Sequence, residues 1–292
     1  MLRRLLSGRL GENPARRPGC ARFYYQAMKL GMFLAASVFF LCPVGAASGS
    51  LSPAQVQAAE NVALITVPTP AEFFGAIDKI SRPDWAAFYR PPGPTSFPAR
   101  PQTAFNLGIL VTDGYIAVEA QDGQQVKNTG KDIISLARAL GVGEHVLSRG
   151  KSISDFADRN DWSALKEELD ATTNEVRLAM AAQRDEGLAT LITAGAWIRA
   201  LQVGSRAAEL SGEGRADETL SQSALLLYLR GDLDKLPEKS RNAPAVERVR
   251  SVLSLLEEQA KAPVPEGDAT TRAVLLGKTS ADFVSSAAAK QK

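Results

Sequence analysis

Apolar residues recur every third or fourth position along most of this chain, and alternating apolar–polar runs are nearly absent. That spacing predicts amphipathic helices. Trp162, Leu165, Leu169, Val176, Ala179 and Met180 form one face of a helix, with Lys166, Glu167, Glu168, Asp170, Glu175 and Arg177 opposite and Asp161 as its N-cap. Leu188–Val203 is apolar on most sides, which predicts a helix surrounded by others. Val246–Ala260 turns Val249, Val252, Leu253 and Leu256 inward, and Thr103–Asp122 predicts the central helix of the fold. Gly108 and Gly114 within it weaken the helix but let another backbone approach. Gly141, Gly187, Gly204 and Gly231 sit where helices should end. Val62–Val67 is the best strand candidate and is short. The expected class is all-α, an irregular multi-helix bundle.

Arg82–Pro101 interrupts the periodicity. Six prolines prevent regular helix there, with Trp85, Phe88, Tyr89 and Phe97 interleaved. One reading is an extended strap whose aromatics pack onto the helical core; the other is a partner-docking segment presenting those four aromatics. Gly204–Arg215 and Pro263–Asp268 read as loops, and Thr270–Lys292 as a weak, Ala- and Ser-rich tail helix. The expected division is 1–47 as an export signal, 48–101 as an N-terminal helix plus strap, 102–262 as the helical core, and 263–292 as the tail.

Composition changes the picture at the N-terminus. Met28–Ala47 places Lys29 before an 11-residue, largely apolar run, Met32–Cys42, followed by Pro43 and small residues. This is the pattern of a secretory signal peptide, too short for the roughly 20 residues that cross a bilayer. Met1–Tyr25, Arg-rich and nearly free of acids, suits either an over-extended translation start (the true one being Met28 or Met32) or a mitochondrial transit segment. Removing residues 1–47 takes seven basic residues and one acidic residue from totals of 34 and 32. That leaves 27 and 31, so the formal charge changes from +2 to −4. Both cysteines, Cys20 and Cys42, go with that segment, leaving no disulfide or thiol chemistry. Periplasmic or secreted location is expected, with membrane contact only if the segment stays uncleaved.

Candidate chemistry is sparse. On the helix after the strap, Gln102, Asn106 and Asp113 share one stripe with Ala117 and Gln124. A buried Asp113 needs a partner, for which Arg138 and Arg199 are available. The stripe is either an interhelical hydrogen-bond network or the wall of an interhelical ligand pocket. His145 is the sole histidine, so a multi-histidine metal site is excluded, and it reads as a surface residue. No Gly-x-Ser-x-Gly elbow or dinucleotide fingerprint is present. Gly277-Lys278-Thr279 would need a glycine where Arg272 stands to close a phosphate loop. No catalytic, cofactor-binding or metal-ligating residue is therefore assigned, and no cofactor is expected.

Ile133–Arg149 resembles the helix-turn-helix of bacterial repressors: Ala137 is small, Gly141 is in the turn, Val142 follows it and Leu147 would pack the second helix. The resemblance implies DNA binding, but Gly150 stands where the family wants an aliphatic residue and should break the recognition helix. The same residues also fit a plain helix–helix corner. Export and an acidic mature chain oppose nucleic acid. The sequence thus leads to an exported, non-enzymatic protein that binds a protein or cell-envelope partner. A small-molecule binder or enzyme with a pocket around Asn106 and Asp113 is the alternative, and a DNA-binding protein a minor one. Oligomeric state is not legible.

Overall fold

A computed structural model describes residues 67–212, 216–263 and 270–288. The signal segment, both cysteines and all of the strand candidate except Val67 lie outside them. The described residues are helical with no strands. In chain order the helices are α1 Pro70–Ser81, α2 Arg100–Glu119, α3 Gly123–Ala139, α4 Gly143–Asp158, α5 Trp162–Ala182, α6 Glu186–Ser211, α7 Ala216–Leu220, α8 Ser223–Asp234, α9 Glu238–Arg241, α10 Pro244–Lys261 and α11 Thr271–Ala288. Between α1 and α2, Trp85–Phe88 makes a single turn of 3₁₀ helix.

Local chemistry sets the boundaries. Thr69 caps α1: its Oγ1 accepts from Glu72 N (3.2 Å), the Glu72 carboxylate accepts from Thr69 N (2.8 Å), and Pro70 fills the first turn. Asp161 caps α5 as expected, accepting from Ala164 N at 3.2 Å. Asp122 caps α3 the same way, through Gln125 N at 2.9 Å. Gln121 takes a left-handed conformation just before it, φ 55°. The central helix therefore ends at Glu119, and Gln124 belongs to α3 rather than to the stripe of Asn106 and Asp113.

The core is built on α2 crossing α6. At the crossing, a Cβ on Gly108 would lie 1.9 Å from the Ile192 carbonyl oxygen, and one on Gly195 would lie 2.1 Å from that of Phe105. Only glycine lets the two backbones come this close. Thr112 Oγ1 donates to Ala196 O across the same seam (2.9 Å). Gly114, by contrast, has nothing nearer than 3.8 Å. Helices α3, α4 and α5 pack in succession from α2, with α5 returning to α2 and α6. On the other side α11 packs along α6, α10 joins α11 to α8, and α1 lies across α6.

Several boundaries differ from the sequence reading. Gly204 does not end its helix; α6 continues to Ser211 because Gly204 is where α1 presses in, and a Cβ there would lie 2.7 Å from the Phe73 ring. Gly231 lies inside α8, and Gly187 starts α6. Gly141 does end a helix turn, at φ 84°. The helix–Gly–helix corner of residues 133–149 is present, but α4 runs unbroken through Gly150 to Asp158. The strap is not uniformly extended, given its 3₁₀ turn, and Pro101 sits in the first turn of α2. Helix α11 is part of the core, with Ala273, Leu276, Ser280 and Val284 buried.

Candidate functional site

Asp113 and Asn106, expected to share a pocket, occupy separate surroundings on α2. The Asp113 carboxylate accepts from Arg199 Nε at 2.8 Å and from Arg90 Nε at 3.1 Å, with a further ion pair to the Arg90 terminal nitrogen. Of the two partners offered by the sequence, Arg199 is the one that meets Asp113; Arg138 is exposed. Arg90 comes from the strap. Arg199 completes its bonding with Gln202 Oε1 (2.9 Å) and the Phe88 carbonyl (2.6 Å), so the triad ties strap to bundle. Burial pushes the Arg199 guanidinium pKa down while Asp113 opposes that shift. Beside the triad is a cavity of about 520 Å³, lined in part by Tyr89, Arg90, Asp113, Asn128 and Lys131.

Asn106 donates to the Gln102 carbonyl (2.9 Å) and to Ala287 O of α11 (3.3 Å), anchoring the last helix. Gln102 Oε1 is buried and lacks a hydrogen-bond partner among the described residues. The space beside these two side chains is only about 20 Å³, room for about one water.

The strap aromatics face inward to different degrees. Trp85 is 6% and Phe88 8% exposed. The Trp85 ring lies tilted against Phe74 at 5.0 Å and edge-on to Phe88 at 6.1 Å, and its indole donates to Asp78 Oδ1 at 3.1 Å. Tyr89 and Phe97 are half-buried against the core. The Tyr89 hydroxyl donates to Asp122 (3.4 Å), and burial together with that carboxylate pushes its pKa up to about 12. His145 is a surface residue, its Nδ1 3.2 Å from Glu175 Oε1. Glu175 also accepts from Arg149 Nε at 2.6 Å, and Arg149 and His145 hold its pKa below the usual range.

The most ligand-like space lies on another side of α2, and sequence reasoning missed it. A cleft of about 550 Å³ separates α2, α5, α6 and α8 and reaches the N-cap of α1. Val111, Val176, Ile192, Ala196, Trp197 and Leu229 supply apolar wall; Thr173, Thr190 and Thr193 supply hydroxyls. At its centre the Tyr115 hydroxyl donates to Asp170 Oδ1. Burial is the main cause that raises both pKa values; the Asp170 carboxylate raises Tyr115 further. Arg177, Glu186, Tyr228 and Asp232 stand around the opening. An apolar hollow with a few convergent polar groups and displaced pKa values is the usual form of a small-molecule site.

Trp197, on the wall of this cleft, meets Phe73 edge-on at 5.3 Å, and Phe73 touches Phe74 at 6.0 Å. Through Phe74 the ring contacts continue to Trp85 and the strap. A larger groove of about 860 Å³ beside α10 and α11 is open and lined by Arg230 and Arg250. Those arginines are already paired with Glu257 and Asp234.

On the helical wheel Asp170 falls opposite the apolar stripe of α5, which assigns it to solvent. Its spacing with Thr173, Asn174, Arg177 and Ala181 (i, i+3, i+4, i+7, i+11) is the signal that marks a second, polar seam on that helix. Among the described residues no set of three His, Cys, Asp or Glu side chains could hold a metal ion, and no helix is long and apolar enough to cross a membrane. No family model, curated protein or solved structure matches this chain.

Proposed function

We propose that this is an exported, non-enzymatic binding protein that holds a small ligand in the Tyr115–Asp170 cleft. One observation carries the reading: a 550 Å³ interhelical cleft with apolar walls and a half-buried carboxylate–phenol pair. Binding rather than turnover is supported by the chemistry of the lining. Tyr115 is pushed away from ionisation, the threonines have no adjacent base stronger than Asp170, and His145 does not line the cleft. Export is supported by the Met28–Ala47 pattern; N-terminal sequencing of native protein should find a start near Ala47 or Ser48. A cytosolic, uncleaved chain would overturn that half of the proposal.

The binding half is tested by a thermal-shift screen of small molecules. A ligand at a hundred times its Kd stabilises by about 2.7 kcal/mol, which raises Tm by roughly 5–10 °C in a chain this size. Ala189→Trp, which fills the cleft from its α6 wall, should abolish the shift and retain a cooperative melt. Hits that survive Ala189→Trp unchanged would place the binding elsewhere and refute the proposal.

A further inference from the structure

The chemistry of the same cleft defines the class of ligand. Asp170 is half-buried in it and pressed by burial towards its neutral form. Every other group acting on that carboxylate is a hydroxyl or another acid: Tyr115, Thr69 and Glu72. Among the described residues it makes no ion pair. Asp132 is likewise raised by burial and without an ion pair among the described residues, but three other carboxylates of the interior are compensated by cations. Asp113 has two guanidiniums, Glu257 has Arg230 and Lys261, and Glu119 has Lys166. A carboxylate taken from water without a counter-charge is costly, and this one faces an open cleft rather than a packed seam.

The rest of the lining has the same polarity. Glu186 and Asp232 add acidic groups at the opening, Asp232 paired with Lys235 at 2.9 Å, and the one cation in the lining, Arg177, has its guanidinium bonded to Asn174 Oδ1 at 2.7 Å. Tyr115, Tyr228 and Trp197 contribute aromatic rings, whose faces attract cations, especially where water is excluded.

We propose that the ligand of this cleft is an organic cation, a protonated amine with an apolar body. The ammonium group supplies the missing counter-charge to Asp170, and the body lies against Val111, Ile192 and Trp197. Anionic ligands are opposed by Asp170 and Glu186. The inference rests on the binding reading above, and the test separates the two.

Purified protein is titrated at neutral pH with three compounds of one shape, phenethylammonium, phenethyl alcohol and phenylacetate, by calorimetry and by NMR of the α2 and α5 amides. The expected result is binding of the ammonium at least tenfold tighter than the alcohol, no binding of phenylacetate, and shifts centred on Tyr115, Asp170 and Thr173. Asp170→Asn should reduce the ammonium to the affinity of the alcohol. If the alcohol or phenylacetate binds as tightly as the ammonium, the cation assignment fails while ligand binding at the cleft stands. If none of the three moves a cleft resonance, both fail. The comparison on unmodified protein needs no variant to fold, so it decides the matter alone.

Discussion

Arg199 is 3% exposed, and a guanidinium in that position is tolerable only because Asp113, Gln202 and the Phe88 carbonyl take up its donors. Removing one partner of a buried pair strands the other and costs about 3–5 kcal/mol. Asp113→Asn should therefore lower the urea-unfolding free energy by roughly that amount. Truncation of Arg82, which is exposed and stands outside the triad, should do little. Equal losses would show that the triad contributes no more than a surface arginine does. Asp170 makes the opposite prediction. Burial holds its pKa above the ordinary carboxylate value, so between that value and the raised one the folded state binds more protons than the unfolded state. Stability then rises as pH falls through this window. Against Asp170→Asn, which cannot titrate, the unmodified protein should gain relative stability from neutral pH to mildly acid pH; a constant difference in urea midpoints would refute the assignment. Asp113 was legible because an acid on an apolar helix demands a partner and Arg199 lies in the largely apolar Leu188–Val203 stretch. Arg90 was not, since the strap has no period to point it anywhere, and Asp170 was lost because a helical wheel knows only one buried face.

At the scale of elements, helix content and most helix centres were readable from the 3–4 spacing, and the errors concentrate at glycine. Glycine serves two purposes that look alike in sequence: it ends a helix where the backbone must turn left-handed, as at Gly141, and it allows contact where another element presses close, as at Gly204. Which one applies depends on a neighbour distant in the chain, Phe73 in the second case. The α2–α6 crossing gives a direct test. Gly108→Ala puts a methyl 1.9 Å from the Ile192 oxygen, a clash with backbone that only separation of the two central helices can relieve. Overpacking usually costs 1–3 kcal/mol, and here we expect about 3 kcal/mol or more. Gly114→Ala, six residues on in the same helix, meets nothing within 3.8 Å and should gain up to about 1 kcal/mol from helix propensity. Chemical denaturation of the two variants should therefore give opposite signs; the same sign in both would mean that the two backbones are not in contact at Gly108.

The molecule as a whole closes through its last helix. Thr270–Lys292 is rich in alanine and serine, which in isolation makes a helix that frays. In the fold, α11 lies along α6, burying Leu276, Val284, Ala273 and Ser280, and its C-terminal carbonyl at Ala287 accepts from Asn106 of α2. Phe283 meets Phe105 edge-on at 5.4 Å, a second link from the tail to the central helix. Its weak propensity is thus offset by packing, and the small residues are what let it lie close: Gly277 sits with Ser205 3.2 Å from its Cβ position. Burial of a leucine or valine is worth about 1.5–3 kcal/mol, so loss of α11 with Phe105 and the α6 face newly exposed removes about 5 kcal/mol or more. That is comparable to the whole net stability of a typical domain. A chain ending at Ala262 should accordingly lose its cooperative thermal transition and expose apolar surface to a dye such as ANS. The cleft between α2, α5, α6 and α8 depends on α6 being held from behind by α11, so ligand-induced thermal shifts should vanish with it. A truncated protein that melts cooperatively within a few degrees of the full chain would show instead that α11 is an appendage and that α2, α5, α6 and α8 support the cleft unaided.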